Sequence, residues 1–547
     1  MNFKIFVLAA FSAGCALGAN YRNPILAMDF SDPDVCRGGD GKFYMTASSF
    51  GGLPGLPILV SEDLVNWEYA GYALEKHPFD TRNPEHGNAV WAPSIRYRAD
   101  KGEYVIYWGD PDRGAYRVSA KNPSGPWSEP RLVVPGRGLI DTCPLYDDDG
   151  RIYLVNAWAN SRAGMNSVLT VRELDKDETK AISDPVIVYD GVPDGNFTAE
   201  GPKFYKKDGE YWIFFPAGGV GEGWQVAARG KTPYGPYEVK TVMAKGSTSI
   251  NGPHQGGWID DWFVHFSDRG PYGRIVYLEP LEWRADGWPV IGSDPDGDGC
   301  GEPVEEWEMP KLGTVGGQKV YPRLSDEFSG RPGLQWQWLG KSRDFPGYAK
   351  ADGKYRLYTT SVVGKHPSKR VLDDDSWTGN LWNTPNLMVQ KFPGFAFSAE
   401  MKAQIDAKED GEECGLIVQG RSYARLGLRY TGDKSFQIVY TECMDADKGS
   451  HDKTEILGKV PAGVISAGIR SVNFKDVWLG VDVSPGAQCS FRYSFDGKSW
   501  TRLGKNFTAR EGKWIGATVG IYAVEGHVTK DKGWIDVDWF RVERNGK

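Results

Sequence analysis

Three acidic residues, Asp32, Asp141 and Glu200, stand at similar points of a repeated sequence pattern, and carboxyl groups brought together could catalyse hydrolysis. Cleavage of a glycosidic bond needs one carboxylic acid that protonates the leaving oxygen and one carboxylate that activates water or attacks the anomeric carbon. A neighbouring carboxylate or an apolar wall raises the pKa of the acid, so that it stays protonated near neutrality. The pattern favours Glu200 as the acid, Asp32 as the base and Asp141 as the residue that modulates the pKa of Glu200.

The three acids belong to a sequence pattern that recurs five times between residue 30 and about residue 293. Each copy starts with an acidic or aromatic residue and a Pro or Gly, and continues with a short strand, a turn containing Asp or Gly, and an aromatic strand. The copies follow one another at intervals of roughly 50 to 60 residues, a spacing typical of repeat architectures. They begin at Asp32-Pro33-Asp34, Trp91-Ala92-Pro93, Asp141-Thr142-Cys143-Pro144, Glu200-Gly201-Pro202 and Asn251-Gly252-Pro253-His254.

Five such units around one axis predict an all-β, five-bladed β-propeller, which leaves only short, protected sheet edges. The first residue of each innermost strand would then point into the central cavity from a different blade. Asp32, Asp141 and Glu200 are expected at equivalent places in the first, third and fourth units, so three carboxylates would surround one pocket. Asp34 is the alternative base, or else accepts hydrogen bonds from backbone amides where its strand begins. Asp32 is preferred because it directly precedes Pro33, where the other units carry their key residue.

The composition favours short strands and tight turns, and it excludes nucleic acid as a partner. The chain has 547 residues, of which 13% are aromatic, with 69 Gly and 34 Pro. Flat aromatic rings stack on the apolar faces of sugars, so an oligo- or polysaccharide is the expected partner. The net charge of -8, without a cluster of Lys and Arg, offers no basic surface to a phosphate backbone. A chain of this length should form two or three domains, and its oligomeric state is left open.

The first 18 residues predict a secretory signal peptide rather than a membrane span. Met1-Asn2-Phe3-Lys4 precedes an apolar run, Ile5 to Ala10, that is too short to cross a bilayer, and Ala16-Leu17-Gly18 offers small residues for cleavage. The expected localisation is secreted or periplasmic. Lipoprotein anchoring at Cys15 is the less favoured alternative, because Ser12 stands where a leucine is usual.

A linker is predicted at residues 308–322, where Pro and Gly are frequent and the repeat ends. Residues 19–307 would form the propeller. Residues 323–547 would form a jelly-roll-like, concanavalin-like β-sandwich, because strands of alternating polarity recur there, as in Phe395 to Met401 and Trp534 to Phe540. The sandwich could bind polysaccharide, or it could cover the propeller and complete the wall of the pocket.

The cysteines do not suggest a disulfide framework or a zinc site. Six remain after removal of the leader, and no C-x-x-C pair occurs among them. One or two bridges are an alternative in an exported protein, most simply among Cys414, Cys443 and Cys489, whereas most of the thiols are expected to be buried and inert. The six are Cys36, Cys143, Cys300, Cys414, Cys443 and Cys489.

Several short sequence motifs in the first 300 residues show a family resemblance, and they are specific when taken together. They are Asn23-Pro24-Ile25-Leu26, Phe30-Ser31-Asp32-Pro33-Asp34, Ser61-Glu62-Asp63-Leu64-Val65-Asn66-Trp67, Trp91-Ala92-Pro93, Glu200-Gly201-Pro202, Asn251-Gly252-Pro253-His254-Gln255-Gly256 and Tyr272-Gly273-Arg274. This region resembles glycoside hydrolase family 43. The C-terminal region is similar to the sandwich of that family's β-xylosidase and α-L-arabinofuranosidase branch, particularly at Trp382 to Pro393 and Asp536 to Phe540.

The resemblance implies a five-bladed propeller, exo-action on terminal pentoses and an inverting mechanism, with Asp32 as base, Asp141 as pKa modulator and Glu200 as acid. Many members have Pro before the catalytic Asp, whereas Ser31 precedes Asp32 here. The leading hypothesis is an exported, inverting exo-glycosidase that releases terminal α-L-arabinofuranose or β-D-xylose from plant-type polysaccharides or oligosaccharides.

Two alternatives to this hypothesis belong to other classes. The first is a carbohydrate-binding propeller without turnover, which the presence of all three acids disfavours. The second is a retaining fructan-processing propeller, in which Asp32 would be a nucleophile. That group carries an Arg-Asp-Pro motif and a Glu-Cys pair in its propeller, and neither occurs in the propeller region of this sequence.

Four further residues are expected around the acids. Phe50 and Trp91 would form walls that stack on sugar faces, although Trp91 is equally compatible with the core of a blade. Arg274 would reach a sugar hydroxyl or the acid pair. The loops after Phe50 and around Gly218 to Trp224 should shape the pocket. His254 is expected to line the substrate-binding channel, and the alternative is a metal ligand, because a histidine there approaches an axial cation or water cluster in related propellers.

No cofactor is required for this chemistry, but two acidic segments are candidates for structural calcium. Asp294-Pro295-Asp296-Gly297-Asp298-Gly299 with Glu305 has the spacing of an EF-hand loop. Its flanks are not helical, so an acidic turn is the favoured interpretation. In the sandwich, Asp326-Glu327 and Asp538 form the second candidate, and surface acids are the default interpretation there.

Overall fold

The computed structural model describes residues 19–79, 86–311, 320–339, 348–351, 353–362, 380–384, 387–432, 435–460, 465–467, 472–525 and 532–545. The predicted signal peptide at residues 1–18, with the alternative lipidation site Cys15, lies outside these ranges, as does most of the predicted linker. The all-β prediction is confirmed, with 53% strand and 3% helix. Within the described ranges, no helix is long and apolar enough to cross a membrane.

Five four-stranded antiparallel sheets, numbered 1 to 5 in chain order, follow one another between Asp34 and Ile291. Neighbouring strands of each sheet follow one another along the chain, as hairpin turns require, except that Gly52–Leu53 intervenes between the second and third strands of sheet 1. Sheet 1 contains Asp34–Arg37, Phe43–Thr46, Gly55–Ser61 and Glu68–Leu74; sheet 2 contains Trp91–Arg98, Glu103–Asp110, Gly114–Ala120 and Arg131–Pro135; sheet 3 contains Leu139–Tyr146, Ile152–Trp158, Val168–Leu174 and Val186–Asp190; sheet 4 contains Lys203–Lys207, Glu210–Ala217, Trp224–Gly230 and Tyr237–Met243; sheet 5 contains His254–Ile259, Trp262–Asp268, Arg274–Trp283 and Pro289–Ile291.

Successive sheets pack against one another in a closed order, since sheet 5 also contacts sheet 1. A separate buried apolar cluster fills each of the five gaps between neighbouring sheets. Tyr153 and Phe215, for example, are buried between sheets 3 and 4, and Phe43 and Val264 between sheets 5 and 1. Each such side chain contributes about 1.5–3 kcal/mol on burial. The aromatic strands of the repeat therefore supply the cores, and the first strand of every sheet is left at the centre.

Each of these inner strands has, within two residues of its start, a residue with positive φ, a conformation that residues with a Cβ rarely adopt. In sheets 2, 3 and 5 the hydrogen-bond register shifts at the same point, as in a β-bulge, which re-aims the side chain. The residues are Asp32 (φ 55°), Ala92 (32°), Asp141 (57°), Gly201 (56°) and Gln255 (20°). Glu200 therefore stands one residue before the place that Asp32 and Asp141 occupy, so the prediction of three equivalent places is wrong by one residue.

The C-terminal domain is a sandwich of two sheets whose strands pair antiparallel, except that Thr360–Ser361 runs parallel to Thr518–Glu525. Its strands alternate buried and partly exposed residues, most regularly in Phe397–Ala407, so one face of each sheet enters a shared core. One sheet contains Tyr348–Ala351, Lys354–Tyr358, Trp534–Arg544, Phe397–Ala407, Val472–Ser484, Gln488–Ser494 and Thr501–Thr508, with Ile465–Ala467 beside Val472–Ser484; the other contains Thr360–Ser361, Thr518–Glu525, Glu413–Gln419, Tyr423–Tyr430, Phe436–Cys443 and Lys453–Lys459, with Leu387–Lys391 beside Thr518–Glu525.

The remaining elements of the described ranges are short. Asn20–Arg22 pairs with Glu306–Glu308, which ties the two ends of the N-terminal domain together. Gly52–Leu53 pairs with Trp338–Leu339, which joins the N-terminal domain to the sandwich. The helical segments are the α-helices Asn160–Ala163 and Gly219–Glu222 and the 3-10 helices Gly270–Tyr272 and Ala446–Lys448.

The two domains share a core as well as this strand pair. The largest apolar cluster of the sandwich includes Ile250, Tyr272, Ile275 and Tyr277 of the N-terminal domain. The loop of residues 509–517, which connects two sandwich strands, also reaches the N-terminal domain, because the backbone N–H of Ala517 donates to the carbonyl of Pro271 at 2.7 Å. This 509–517 loop is thereby fixed beside the connection between the second and third strands of sheet 5.

Candidate active site

A pocket of about 430 Å³ lies where the inner strands begin. Six of the seven predicted site residues line it, and the seventh, His254, is hydrogen bonded to Glu200. The structure therefore brings together side chains from all five sheets and from the sandwich. The lining residues are Asp32, Phe50, Trp91, Ile140, Asp141, Glu200, Val220, Gln255, Arg274 and Trp514.

Asp32 is buried and accepts a hydrogen bond at each carboxylate oxygen. Oγ of Ser48 donates to Oδ2 at 2.5 Å, and Nη1 of Arg274 donates to Oδ1 at 3.2 Å. Ser48 in turn accepts a bond of 2.7 Å from the backbone N–H of Ala92, so sheet 2 helps to orient Asp32. Asp34, the alternative base, is fully buried and bonded to sheet 2 instead. Of the two acids, only Asp32 lines the pocket.

Asp141 is buried and holds the backbone next to Glu200. The amide N–H of Gly201 donates to Oδ2 of Asp141 at 2.8 Å, and Nε2 of Gln255 approaches the same oxygen at 3.5 Å. Since Gly201 directly follows Glu200, any shift of Asp141 would also move Glu200. Asp141 is thus placed to affect both the charge and the position of Glu200.

Glu200 is the most accessible of the three acids, with 31% of its side chain exposed against 4% for Asp32. Oε1 of Glu200 is 2.8 Å from Nε2 of His254. The His254 ring is fully buried, and its edge packs against Phe266 with ring centres 5.5 Å apart. One carboxylate oxygen of Glu200 is therefore held by the protein, while part of the side chain faces the open pocket.

The pKa values of Asp141 and Glu200 are shifted in opposite directions. Burial raises the pKa of Asp141 well above its ordinary range, and the charges of Glu200 and Asp32 raise it further. Burial also raises the pKa of Glu200, but the hydrogen bond and charge of His254, with the charge of Arg274, outweigh burial and bring it below the ordinary value. The expectation of a raised pKa at Glu200 is therefore not met in this structure, because His254 stabilises the carboxylate, and the raised pKa is found at Asp141.

Phe50 and Trp91 both form walls of the pocket. Phe50 is buried and forms a backbone bridge with Val90. Trp91 begins the inner strand of sheet 2, and its Nε1 donates to the carbonyl of Gly87 at 2.8 Å. Trp91 also packs against the buried cluster between sheets 3 and 4. Trp91 is therefore both a wall of the pocket and a neighbour of the core between sheets 3 and 4, so both interpretations apply.

Arg274 and Trp514 form the part of the pocket nearest the sandwich. The guanidinium carbon of Arg274 lies 5.6 Å from the ring centre of Trp514 and 4.9 Å from that of Phe266. The carbonyl of Trp514 accepts a bond of 3.2 Å from Oγ of Ser31, the residue before Asp32. Trp514 lies in the 509–517 loop, which is docked on the N-terminal domain, but 43% of the residue's surface stays exposed. The sandwich thus completes the pocket wall, which is one of the two roles that the sequence left open.

Three lining residues were not predicted from the sequence: Ile140, Gln255 and Trp514. Ile140 and Gln255 are neighbours of Asp141 and His254, so a correct register of the repeat would have indicated them. Val220, which also lines the pocket, lies in the short helix Gly219–Glu222, within the loop from Gly218 to Trp224 that was expected to shape the pocket. Trp514 has no local sequence signal, because its place depends on how the two domains pack.

Comparison with known proteins identifies the family. Residues 21–289 match the profile of Glycosyl hydrolases family 43, and residues 325–543 match that of the Beta xylosidase C-terminal Concanavalin A-like domain. A putative β-xylosidase of Xylanibacter ruminicola is 34% identical over 511 residues, which cover 91% of this chain and 85% of that protein. The chain belongs to glycosyl hydrolase family 43. The predictions of the family and of a glycosidase are therefore confirmed.

Other members of family 43 extend the similarity. A non-reducing end α-L-arabinofuranosidase of Bacteroides ovatus is 31% identical over 428 residues, which cover 73% of each chain. The crystal structure of a xylan β-1,4-xylosidase from Bacillus halodurans superposes with a TM-score of 0.79 at 21% identity, covering 96% of this chain and 100% of that one. At this identity the superposition shows a shared fold, which extends over both domains.

The acidic segment of the N-terminal domain is a turn whose carboxylates accept bonds from its own backbone. Asp294, Asp296 and Asp298 have ligand-type oxygens within 4.8 Å of one another, and they are the one such group within the described ranges. These oxygens accept N–H bonds from the turn at 2.7–3.3 Å, and Glu305 is not part of the group. Internal bonding of this kind fits the acidic turn that the sequence favoured.

The second calcium candidate and the metal alternative for His254 have protein partners instead. Asp326 accepts bonds of 2.7 and 3.0 Å from the backbone of the segment that follows it and from an indole N–H. Glu327 pairs with Arg541 at 2.8 Å, and Asp538 pairs with Lys402 at 2.8 Å. The partner of His254 is Glu200.

The six cysteines of the described ranges are free thiols, and five of them are buried. Cys300 is the partly exposed one. Cys414, Cys443 and Cys489 therefore form no disulfide bridge with one another in this structure. Burial of these thiols agrees with the inert role expected for most of them.

Proposed function

We propose that the protein is an exported, inverting exo-glycosidase that releases terminal α-L-arabinofuranose or β-D-xylose from plant-type polysaccharides or oligosaccharides. The observation that carries the proposal is the convergence of Asp32, Asp141 and Glu200 on one small pocket that Trp514 helps to close. Phe50, Trp91 and Trp514 wall this pocket, an arrangement that suits a terminal sugar better than the middle of a chain.

The substrate class is supported by the relatives, which are named β-xylosidase and non-reducing end α-L-arabinofuranosidase. In the proposed architecture the five sheets are the blades of a five-bladed β-propeller. Such a propeller aims the starts of its inner strands at one central cavity, where the pocket lies. Export is proposed from the leader at residues 1–18, with lipid attachment at Cys15 as the alternative.

In the proposed mechanism Asp32 takes a proton from the attacking water while Glu200 gives a proton to the leaving oxygen. The bonds from Ser48 and Arg274 fix the direction of the Asp32 carboxylate, so a water between it and the anomeric carbon would be held in line. Inversion needs about 6.5–9.5 Å between the two carboxyl groups, to leave room for that water. Arg274 has Trp514 on one side and Asp32 on the other, so it is also placed to contact a sugar hydroxyl.

Glu200 must carry a proton when the substrate is bound. Its partly exposed carboxyl group would lose contact with water as the sugar enters, and desolvation of an acid raises its pKa. Asp141, whose pKa is already raised, titrates together with Glu200, so the pair can retain one proton near neutrality. Asp141 therefore acts as the pKa modulator in this proposal.

Two measurements test the proposal. A panel of 4-nitrophenyl glycosides should include α-L-arabinofuranoside or β-D-xyloside among its best substrates, and sugar binding without any hydrolysis would favour a carbohydrate-binding protein. The first product should appear by NMR with inverted anomeric configuration. A retained configuration would instead make Asp32 a nucleophile, as in the retaining alternative.

The Glu200→Gln variant tests the acid. Loss of a general acid costs roughly 10²- to 10⁴-fold in kcat when the leaving group is poor, as in a disaccharide, and less for 4-nitrophenol. Glu210→Gln is the matched control, because Glu210 is on the same sheet but pairs with Lys231 away from the pocket. Equal activity of Glu200→Gln and the control on the disaccharide would refute the assignment.

A further inference from the structure

Three polar side chains, Asp34, Arg96 and Cys143, form a hydrogen-bonded chain across the inner strands of sheets 1, 2 and 3. We call these three residues the inner polar belt. Nη1 of Arg96 donates to Oδ2 of Asp34 at 2.7 Å, and Nη2 of Arg96 donates to Sγ of Cys143 at 2.8 Å. Asp34 and Cys143 are fully buried, and the Arg96 side chain is 14% exposed. The belt thus joins sheets 1, 2 and 3 through side chains alone.

Further bonds extend the belt to sheets 4 and 5. Sγ of Cys143 also accepts a bond of 3.3 Å from the backbone N–H of Phe204 in sheet 4. The guanidinium carbon of Arg96 lies 5.0 Å from the ring centre of Tyr205, whose hydroxyl accepts a bond of 2.9 Å from the backbone N–H of Trp258 in sheet 5. Every inner strand therefore has a direct contact with the belt or with Tyr205.

The belt is in register with the catalytic acids. Asp34 comes two residues after Asp32, and Cys143 comes two residues after Asp141. Phe204, whose amide bonds to Cys143, comes four residues after Glu200. Because each acid stands at or beside a residue with positive φ, its own backbone offers no regular ladder to hold it. Farther along the chain from Asp32, Asp141 and Glu200, each inner strand has a member of the belt, or a residue bonded to one, that is held by a hydrogen bond.

Arg96 is suited to this linking role because a planar guanidinium donates in several fixed directions at once. One of its nitrogens also donates to the carbonyl of Ile95 at 2.7 Å, while the backbone N–H of Ile95 donates to Asp34 at 2.8 Å. The charge of Arg96 is thus matched by the buried Asp34, and two hydrogen bonds join sheets 1 and 2 at this point.

We propose that Asp34, Arg96 and Cys143 are positioning residues that set the spacing between the base Asp32 and the acid Glu200. This inference rests on the proposed roles of those two acids. The belt touches no substrate, so it acts through the inner strands. An acid that is displaced by even a fraction of an ångström protonates a poor leaving group badly, whereas a good leaving group needs little protonation.

Cys143→Ala tests the belt, because it removes the acceptor that joins sheets 2, 3 and 4 without leaving a buried charge unpaired. We expect kcat for the disaccharide to fall roughly 10- to 100-fold, with a much smaller fall for the 4-nitrophenyl glycoside and little change in KM. Cys143→Ser, which keeps a polar atom that can accept these bonds, should recover a substantial part of the loss. Cys414→Ala, at a fully buried cysteine of the sandwich core, is the control for lost packing.

The experiments distinguish a failure of the belt's positioning role from a failure of the proposed function. The glycoside panel on the unmodified protein decides the sugar, and the variants are compared on whichever aryl glycoside and disaccharide that protein cleaves. A fall in kcat that is equal for both leaving groups, or equal in Cys143→Ala and Cys414→Ala at matched unfolding temperatures, would overturn the positioning role. A loss selective for the disaccharide that Cys143→Ser recovers supports it.

Discussion

At the scale of single residues, one contact, between Nε2 of His254 and Oε1 of Glu200, has a large effect on the chemistry of the pocket. It holds the carboxyl group in place, and it also lowers the pKa of Glu200 against the effect of burial. The proposed acid is thus fixed in position, but it needs the bound sugar to help it keep its proton. In the proposed mechanism Asp141, whose pKa is raised and which lies on the neighbouring strand, opposes the loss of that proton.

This contact predicts the pH dependence of a His254→Phe variant. Activity falls at high pH as Glu200 loses its proton. Without the hydrogen bond and charge of His254, the raising effect of burial is less opposed, so the pKa of Glu200 rises and the alkaline limb of the kcat/KM profile moves to higher pH. His265→Phe is the control, since His265 forms a similar buried pair with Glu279 at 3.2 Å away from the pocket. An alkaline limb that stays in place or moves to lower pH in His254→Phe would contradict the prediction.

The sequence predicted most of the pocket residues because their chemistry is local. Asp32, Asp141 and Glu200 are acids at the start of repeated strands, and Arg274 follows a recognisable Tyr-Gly pair. The shift in the pKa of Glu200 was not predictable. Its sign depends on the distance between Glu200 and one imidazole nitrogen, which no sequence spacing specifies.

At the scale of elements, the strands were predictable and their exact alignment was not. The aromatic run from Tyr211 to Phe215 lies within the strand Glu210–Ala217, as the alternation of turns and aromatic residues indicates. The places of the acids were misaligned by one residue between sheets, because residues with positive φ at the strand starts change which side chain faces the pocket. Hydrophobic patterns report regular strands, and they do not report such an irregular residue.

The 509–517 loop gives a prediction at this scale. Trp514→Ala should raise KM roughly 3- to 10-fold, because a bound sugar would lose the apolar area that it buries against the indole ring, at about 25 cal/mol per Å². Trp307→Ala is the matched control, since Trp307 is 38% exposed and does not line the pocket. Steady-state kinetics on the best aryl glycoside would measure both variants. Equal KM values for the two would show that Trp514 is not part of the sugar site.

At the scale of the whole molecule, the two domains are one structural unit. Their shared apolar cluster, the strand pair Gly52–Leu53 with Trp338–Leu339, and the ion pair between Lys391 and Asp29 at 3.6 Å all cross the boundary. The sequence placed a boundary near residue 308, because the repeat ends there. It gave no measure of how much surface the two sides would share, since contacts between distant segments leave no local pattern.

Shared burial predicts that the domains unfold together, in a single calorimetric transition. Tyr272 links them closely, because its hydroxyl accepts a bond from the backbone N–H of Ala487 at 2.7 Å and its ring is 4.9 Å from that of Phe395. Tyr272→Ala should therefore broaden or split the transition. Tyr153→Ala, buried between sheets 3 and 4, should lower the transition temperature without splitting it. Two separate transitions in the unmodified protein would contradict this account.

The place of Trp514 in the chain also has a consequence for the order in which the site is made. At about 5–20 residues per second, Trp514 is synthesised roughly 15 to 60 seconds after Glu200. During that interval the wall beside Arg274 does not yet exist, and the apolar core that the two domains share cannot be completed. A sugar-sized pocket would therefore form only after nearly the whole chain has been made, when the 509–517 loop docks.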